Sequence, residues 1–98
     1  MQGIKYDSAK PDYSLVPFKS LDEVVKVLTH GANKYDRHNW RKIDARRYQA
    51  AALRHISAHM QGELIDPDSG CDHLAHAICS LFFIMENISN AKDNNTMD

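Results

Sequence analysis

The sequence predicts an all-α fold with three main helices, and three observations support this prediction. Apolar residues recur at helical spacing over most of the chain. Residues typical of helix N-termini precede each of the three stretches. No segment shows the alternation of apolar and polar residues that is typical of a strand, and no repeat is present. We expect residues 1–90 to form one helical domain and residues 91–98 a flexible polar tail.

The composition is that of an ordinary soluble globular chain. Of its 98 residues, 43% are hydrophobic and 26% are charged. The longest strongly apolar stretch, 75–85, is shorter than the about 20 residues needed to cross a bilayer, and the N-terminus lacks a signal-peptide core. On one helix, Cys71 and Cys79 would be separated by a rise of about 12 Å, too far for a disulfide. We therefore expect a cytoplasmic protein with reduced thiols and no membrane partner.

The first helix follows an irregular N-terminal arm. Residues 1–19 carry prolines and interleaved aromatic residues, which we expect to pin the arm to the helical body. Ser20 and Glu23 form a capping box, which predicts a helix beginning at about residue 21. Its apolar stripe should end near Lys34–Asp36. The stripe consists of Leu21, Val24, Val25, Leu28 and Ala32.

The second helix is predicted between a loop and a glycine. Residues 37–43 read as a loop, after which Asp44 is a natural N-cap. Five alanines between residues 45 and 58 favour the helix. We expect it to run to about Gln61, with Gly62 as its stop.

The third helix follows a short acidic loop, residues 63–70. Ser69 and Asp72 form a second capping box, and the helix should end near residues 87–90. Apolar side chains occupy nearly its whole circumference, so it must be buried on all sides. Two partner helices cannot achieve this, so we expect a helical-bundle homo-oligomer, either a homodimer with a four-helix core or a larger assembly. The apolar positions are Leu74, Ala77, Ile78, Leu81, Phe82, Phe83, Ile84 and Met85.

Four of the six histidines lie in one window of 22 residues. One pair is spaced i,i+4 on the second helix and the other i,i+3 on the third, so each pair shares a helix face. In an antiparallel hairpin they would converge with the acids of the loop between. Imidazole with carboxylate suits zinc or manganese, and carboxylates with water suit magnesium. The alternative is a buried histidine network. The candidate metal ligands are His55, His59, Glu63, Asp66, His73 and His76.

A second cluster is basic and aromatic. Residues 34–54 contain seven basic and two acidic side chains, whereas residues 63–98 contain seven acidic side chains and one lysine. This asymmetry suits a phosphate-bearing ligand that also needs a metal, although solvated helix faces would explain it equally. The chain has no long basic stripe, so we do not expect a nucleic-acid polymer as partner. Candidates for binding phosphate are Lys10, Lys34, Arg47 and Arg54, and candidates for a base or sugar pocket are Tyr35, Asn39 and Trp40. Taken alone, Trp40 is interpreted first as a side chain that fills the core, and Asn39 as a residue whose amide stabilises the loop.

Several enzyme classes are excluded because their signatures are missing. The chain has no phosphate-binding P-loop, no Gly-x-Gly-x-x-Gly and no Gly-x-Ser-x-Gly. P-loop kinases, Rossmann enzymes and serine hydrolases are therefore excluded.

Seven short motifs follow one another along the chain. They are Lys5-x-Asp7-x-x-Lys10-Pro11, Leu28-x-x-Gly31-Ala32-x-Lys34-Tyr35, Asn39-Trp40, Arg54-His55, Gly62-Glu63-x-x-Asp66, Ser69-Gly70 and His73-Leu74-x-His76-Ala77. In this order and spacing they resemble the phage-associated dATP/dGTP diphosphohydrolase family, of the N-terminal domain type, which is related to the all-α MazG-like nucleoside triphosphate pyrophosphohydrolases. The resemblance covers residues 5–88. It implies a helical oligomer that binds a purine deoxynucleoside triphosphate with a divalent metal and forms monophosphate and pyrophosphate, in the cytoplasm of a bacterial host if the chain is of phage origin.

One departure from the MazG-like pattern divides the functional hypotheses. Those enzymes hold magnesium with Glu-x-x-Glu and Glu-x-x-Asp on two helices, whereas His73 and His76 stand at the equivalent positions here. Either a mixed histidine–carboxylate set holds the metal, or the chain binds nucleotides without hydrolysing them. The leading hypothesis is a metal-dependent pyrophosphohydrolase, and the second is an oligomer that sequesters a small signalling nucleotide. A third is a scaffold with structural zinc. The candidate catalytic residues are Glu63, Asp66, His73 and His76.

Overall fold

The computed structural model describes residues 9–96, apart from the side chains of residue 90 and residues 92–96. All regular structure in this range is helical, apart from one isolated bridge between Ile65 and Asp72, and the all-α prediction is confirmed. None of the described helices is long and apolar enough to span a membrane. The elements are a 3-10 turn at Tyr13–Leu15, α1 at Phe18–Lys34, a 3-10 turn at Asn39–Lys42, α2 at Ala45–Met60 and α3 at His73–Thr96.

Helix α1 begins earlier than the capping box predicted. Pro17 is the N-cap and its carbonyl accepts from the Leu21 amide at 3.0 Å, so the box lies inside the first turns and that prediction was wrong. Proline is favoured at a helix start because its fixed φ suits the first turn. Glu23 instead pairs with Lys26 at 2.8 Å. The predicted end at Lys34 is confirmed. Residues 1–8 of the predicted arm lie outside the described residues.

Helix α2 has the predicted caps. The Asp44 carboxylate accepts from the Arg46 amide at 3.3 Å, and Gly62, with φ +98°, adopts the left-handed conformation that ends the helix region. The preceding segment is more ordered than a plain loop, because Asn39–Lys42 forms a 3-10 turn.

Helix α3 differs from its prediction at both ends. It begins at His73, and Asp72 caps it by accepting from the Leu74 amide at 2.8 Å, so Ser69 is not the cap. It continues to Thr96, beyond the predicted end, and residues 91–96 of the predicted tail are helical. Neither glycine nor proline occurs between residues 85 and 96 to stop it. Residues 97 and 98 lie outside the described range.

Helix α3 is the centre of the fold. It packs against both α1 and α2. These two helices do not pack against each other, since no Cα atom of α1 lies within 8 Å of one in α2. Val24 and Val27 of α1 pack against Ala75 and Cys79 of α3. Burial raises the pKa of the Cys79 thiol to about 12, so this thiol stays protonated. The arrangement leaves a cleft between α1 and α2 whose floor is α3.

The opposite side of α3 carries an exposed apolar face. Its positions are spaced alternately by four and three residues, the spacing of a helix that packs against another helix. Their exposed fractions run from 37% at Leu74 to 68% at Met85. On α2, Leu53 and Met60 are also exposed. We call the following set the α3 apolar face: Leu74, Ile78, Leu81, Met85 and Ile88.

Candidate functional site

The cleft between α1 and α2 has a volume of about 1000 Å³ and gathers most of the residues predicted to act on a ligand. Its walls come from the C-terminal half of α1, the second 3-10 turn, α2 and the acidic loop, and α3 forms the floor. Lys10, His59, Glu63 and His73 do not line it. The predicted residues that do line it are Lys34, Tyr35, Asn39, Trp40, Arg47, Arg54, His55, Asp66 and His76.

One part of the cleft is basic. Lys34 at the end of α1 and Arg47 and Arg54 on α2 line it with exposed side chains. Arg47 and Arg54 are seven residues apart, so they lie on one face of α2 two turns apart. The spacing of about 10 Å along the helix axis is suitable for a chain of phosphates. Arg37, which the sequence analysis did not select, adds a fourth cation.

Trp40 has a packing role. Its ring stacks on Phe83 of α3 with centroids 5.1 Å apart and planes inclined by 10°, and its carbonyl accepts from the Asn87 amide group at 3.3 Å. These contacts attach the 3-10 turn to α3 and agree with the interpretation of Trp40 as a packing residue. Its contribution to a base pocket stays a prediction.

A cluster of imidazoles and carboxylates adjoins the basic part of the cleft, and we call it the histidine cluster (His55, Glu63, Asp66, His73 and His76). Of its members, His55, Asp66 and His76 line the cleft, whereas Glu63 and His73 do not. The Nδ1 atoms of His55 and His73 are 2.8 Å apart, and the His73 Nε2 lies 2.7 Å from the Glu63 Oε1. The His55 ring stacks on His76 with centroids 4.5 Å apart. The antiparallel pairing of α2 and α3 therefore brings His55 together with His73 and His76, as predicted, but not His59.

Asp66 and Ser69 complete the environment of His76. The His76 Nε2 lies 2.7 Å from the Ser69 Oγ and 3.5 Å from the Asp66 Oδ2. The Ser69 hydroxyl also accepts from the Cys71 amide at 3.1 Å. Sequence reasoning assigned Ser69 to a helix cap, and no local signal distinguishes a cap from a partner of His76. Its contact depends on how the loop folds back.

The acidic loop is closed by its own backbone. The Asp66 amide donates to the Cys71 carbonyl and the Asp66 carbonyl accepts from Gly70, both at 2.8 Å. The Asp66 Oδ1 accepts from the Asp68 amide at 2.9 Å. Gly70, with φ +72°, supplies the left-handed turn that this closure needs. The loop therefore holds the Asp66 carboxylate against α2 and α3.

Burial and neighbouring groups determine the charge state of the cluster. Desolvation lowers the pKa of His55 most, with further lowering by His76 and His73. Desolvation is also the largest effect on the pKa of His76, which is lowered although the Asp66 carboxylate opposes the shift. Both imidazoles are therefore neutral at neutral pH and offer lone pairs.

Two predicted residues, His59 and Lys10, neither line the cleft nor belong to the histidine cluster. The Nδ1 of His59 is buried without a hydrogen-bond partner among the described residues, and His59 belongs to no described group of three or more ligand atoms. Lys10 is exposed outside the cleft.

Without metal, the protein should become less stable as the pH falls from about 7.5 to about 5.5. The pKa values of His55 and His76 are lowered below 6.5 by folding. The unfolded chain therefore binds more protons below that pH, and the free energy of unfolding decreases. Urea denaturation in EDTA should show this decrease. The double variant His55→Gln/His76→Gln should show a flatter pH dependence, whereas an unchanged slope would contradict this assignment.

The comparisons with known proteins identify the family of this chain. The family model described as dATP/dGTP diphosphohydrolase, N-terminal, matches residues 1–97. A protein of Salmonella phage PMBT28 named dATP/dGTP diphosphohydrolase is 36% identical over 90 residues, which are 92% of this chain and 31% of the phage protein. The chain thus spans less than a third of that relative's length. No solved structure matches the chain. By the extent of the family match, this chain belongs to the dATP/dGTP diphosphohydrolase N-terminal family.

Proposed function

We propose that this protein is a metal-dependent diphosphohydrolase of purine deoxynucleoside triphosphates, dATP and dGTP, in phage nucleotide metabolism in the cytoplasm of a bacterial host. The observation that carries the proposal is that the basic side chains line the same cleft as three members of the histidine cluster, His55, Asp66 and His76. Phosphate binding and proton transfer could thus act on one ligand. The name of the phage relative supports the substrate class.

In this proposal the triphosphate lies along the basic part of the cleft. The guanidinium groups of Arg47 and Arg54 would bind phosphate oxygens in pairs, and Lys34 would add a point charge. Tyr35 and Asn39, together with the part of Trp40 not covered by Phe83, would contact the sugar and base. Lys10 has no part in this arrangement because it does not line the cleft.

The residues of the cluster fit a divalent metal, although not the all-carboxylate set of MazG-like enzymes. One ligand atom from each of His55, Asp66 and His73 lies within 4.8 Å of the other two. A bound ion would offset phosphate charge and make water more acidic. Glu63 would act through its contact with His73 at 2.7 Å.

In this proposal His76 would accept the proton of the attacking water. Its half-buried imidazole has a lowered pKa and is therefore neutral. The water oxygen would bond to the α-phosphorus while the bond to the bridging oxygen breaks. Pyrophosphate would leave with the electron pair, and the Ser69 and Asp66 contacts would orient the imidazole.

Product analysis tests the proposal. Purified protein is incubated with ribo- and deoxynucleoside triphosphates in magnesium, manganese or EDTA. Monophosphate and pyrophosphate that form only with metal, from dATP and dGTP first, are the expected result. Tight binding with every nucleotide recovered intact would overturn hydrolysis and favour sequestration. Unfolding by EDTA alone would favour structural zinc.

Arg47→Gln should weaken nucleotide binding by about tenfold or more, because a charge-assisted contact to phosphate is lost. The neighbouring residue provides a matched control. Arg46 is exposed on the same helix but does not line the cleft, so Arg46→Gln should bind nucleotide normally. Isothermal titration with dATP in EDTA measures both. Equal losses in the two variants would show that the cleft does not hold the phosphates.

We also propose that two copies of the chain associate through the α3 apolar face. A soluble monomer rarely leaves a continuous apolar patch of this kind in water. The alternating spacing fits antiparallel or parallel pairing with the same face of a second copy. Exposed Leu53 and Met60 on α2 would extend the contact.

A further inference from the structure

Three elements each contribute one ligand atom to a single small volume in the histidine cluster. His55 comes from α2, His73 from α3 and Asp66 from the acidic loop, and their ligand atoms lie within 4.8 Å of one another. His73 is buried with 5% of its surface exposed, and the other two are half-buried. The set is therefore held by three separate parts of the fold rather than by one flexible segment.

The contact with Glu63 fixes the tautomer of His73. A carboxylate only accepts hydrogen bonds, so the 2.7 Å contact requires the proton on His73 Nε2. The lone pair of His73 is then on Nδ1, 2.8 Å from the His55 Nδ1. A carboxylate behind a histidine whose other nitrogen points at a shared site is the arrangement that orients metal-binding histidines.

We propose that His55 Nδ1, His73 Nδ1 and a carboxylate oxygen of Asp66 bind one first-row transition-metal ion, such as Mn²⁺ or Zn²⁺, in preference to Mg²⁺. Glu63 is a positioning residue for His73 and not a ligand. This inference deepens the proposed function. Only the role of the ion in hydrolysis rests on that function, whereas the binding of the ion does not.

The chemistry of the donors decides the class of ion. Imidazole nitrogen suits the later first-row metals, whereas Mg²⁺ strongly prefers oxygen. Two nitrogens at about 2.1 Å from one ion lie about 3 Å apart or slightly more, close to the observed 2.8 Å. The ion would replace the proton now shared between the two Nδ1 atoms. Three protein ligands would leave positions open for phosphate oxygen or water.

Cobalt titration tests the site without nucleotide. The EDTA-treated, dialysed full chain is titrated with Co²⁺, and the visible d–d absorption is recorded. We expect one Co²⁺ per chain, displaced by Zn²⁺ but not by a tenfold excess of Mg²⁺. Displacement of Co²⁺ by an equal concentration of Mg²⁺ would overturn the proposed preference.

Variants test the ligand set. His55→Gln and Asp66→Asn should each weaken Co²⁺ binding by about 100-fold, and Glu63→Gln by about 10- to 100-fold. His59→Gln is the matched control, because His59 lies one turn from His55 on α2, and it should bind normally. Circular dichroism checks that each variant is folded. If His55→Gln is unfolded, the ligand set is tested with Asp66→Asn, which changes a loop residue. Loss of binding in His59→Gln with normal binding in His55→Gln would overturn the assignment.

The two proposals fail separately. A normal Co²⁺ site with all nucleotides recovered intact would leave the metal site standing and remove the hydrolase. Metal-dependent turnover that persists undiminished in Asp66→Asn and His55→Gln would leave the hydrolase standing and remove the metal site.

Discussion

Asp66→Asn is expected to lower kcat/KM for dATP and dGTP by at least about 100-fold with the helices intact. The change removes the carboxylate that lies near His76 and near the two imidazoles that we propose bind the metal. Asparagine keeps an oxygen that can accept from the Asp68 amide, now bonded at 2.9 Å, so the loop should stay closed. Steady-state release of pyrophosphate measures the effect.

The control for this experiment is Asp22→Asn. Asp22 is exposed on α1 away from the cleft, so the variant makes the same change of charge without touching the site. It should turn over nucleotide at the wild-type rate. If Asp66→Asn retained that rate as well, the histidine cluster would not be the reaction centre.

Met85→Glu is expected to convert the dimer that we propose to monomers. Met85 is 68% exposed in the single chain and lies between Leu81 and Ile88 on the α3 apolar face. Burying a methionine side chain contributes about 1.5–3 kcal/mol, and a buried unpaired carboxylate costs more than that contribution. The dimer dissociation constant should therefore rise by more than about 100-fold. Sedimentation velocity at micromolar concentration measures it.

Val25→Glu is the matched variant for this second experiment. Val25 is an exposed apolar residue on α1, at 47% exposure, outside the α3 apolar face. It should leave the assembly unchanged, and both variants should keep the helical circular dichroism signal. A wild-type protein that is monomeric at micromolar concentration would contradict self-association, and dissociation by Val25→Glu alone would move the interface to α1.

The helices were predictable because their signals are local. Asp44 caps α2 through a contact two residues away, and Gly62 ends it through its own backbone conformation. Two capping boxes failed for a common reason. Ser20 and Ser69 each had a competing neighbour, Pro17 and Asp72, and which one begins the helix depends on the whole backbone path. The end of α3 also failed, since a polar composition weakens a helix without stopping it.

The candidate site was predictable in composition but not in geometry. An antiparallel hairpin places His55 near His73 and His76 from spacing alone, and the structure shows these contacts. Spacing could not tell that Glu63 turns towards His73 while Asp66 turns towards His76. Nor could spacing show that His59 lies outside the cluster, because His55 and His59 lie on the same face of an isolated helix.

The sequence by itself determined three helices, the caps of α2 at Asp44 and Gly62, and the set of histidines, acids and arginines available for chemistry. Only the tertiary structure decided which of them share a cleft and which point elsewhere. The physical reason is that helix propensity and capping act within about four residues, whereas the contacts of the cluster join positions up to 21 residues apart, as His55 and His76 are. Those contacts depend on how the acidic loop closes and how α2 and α3 pack.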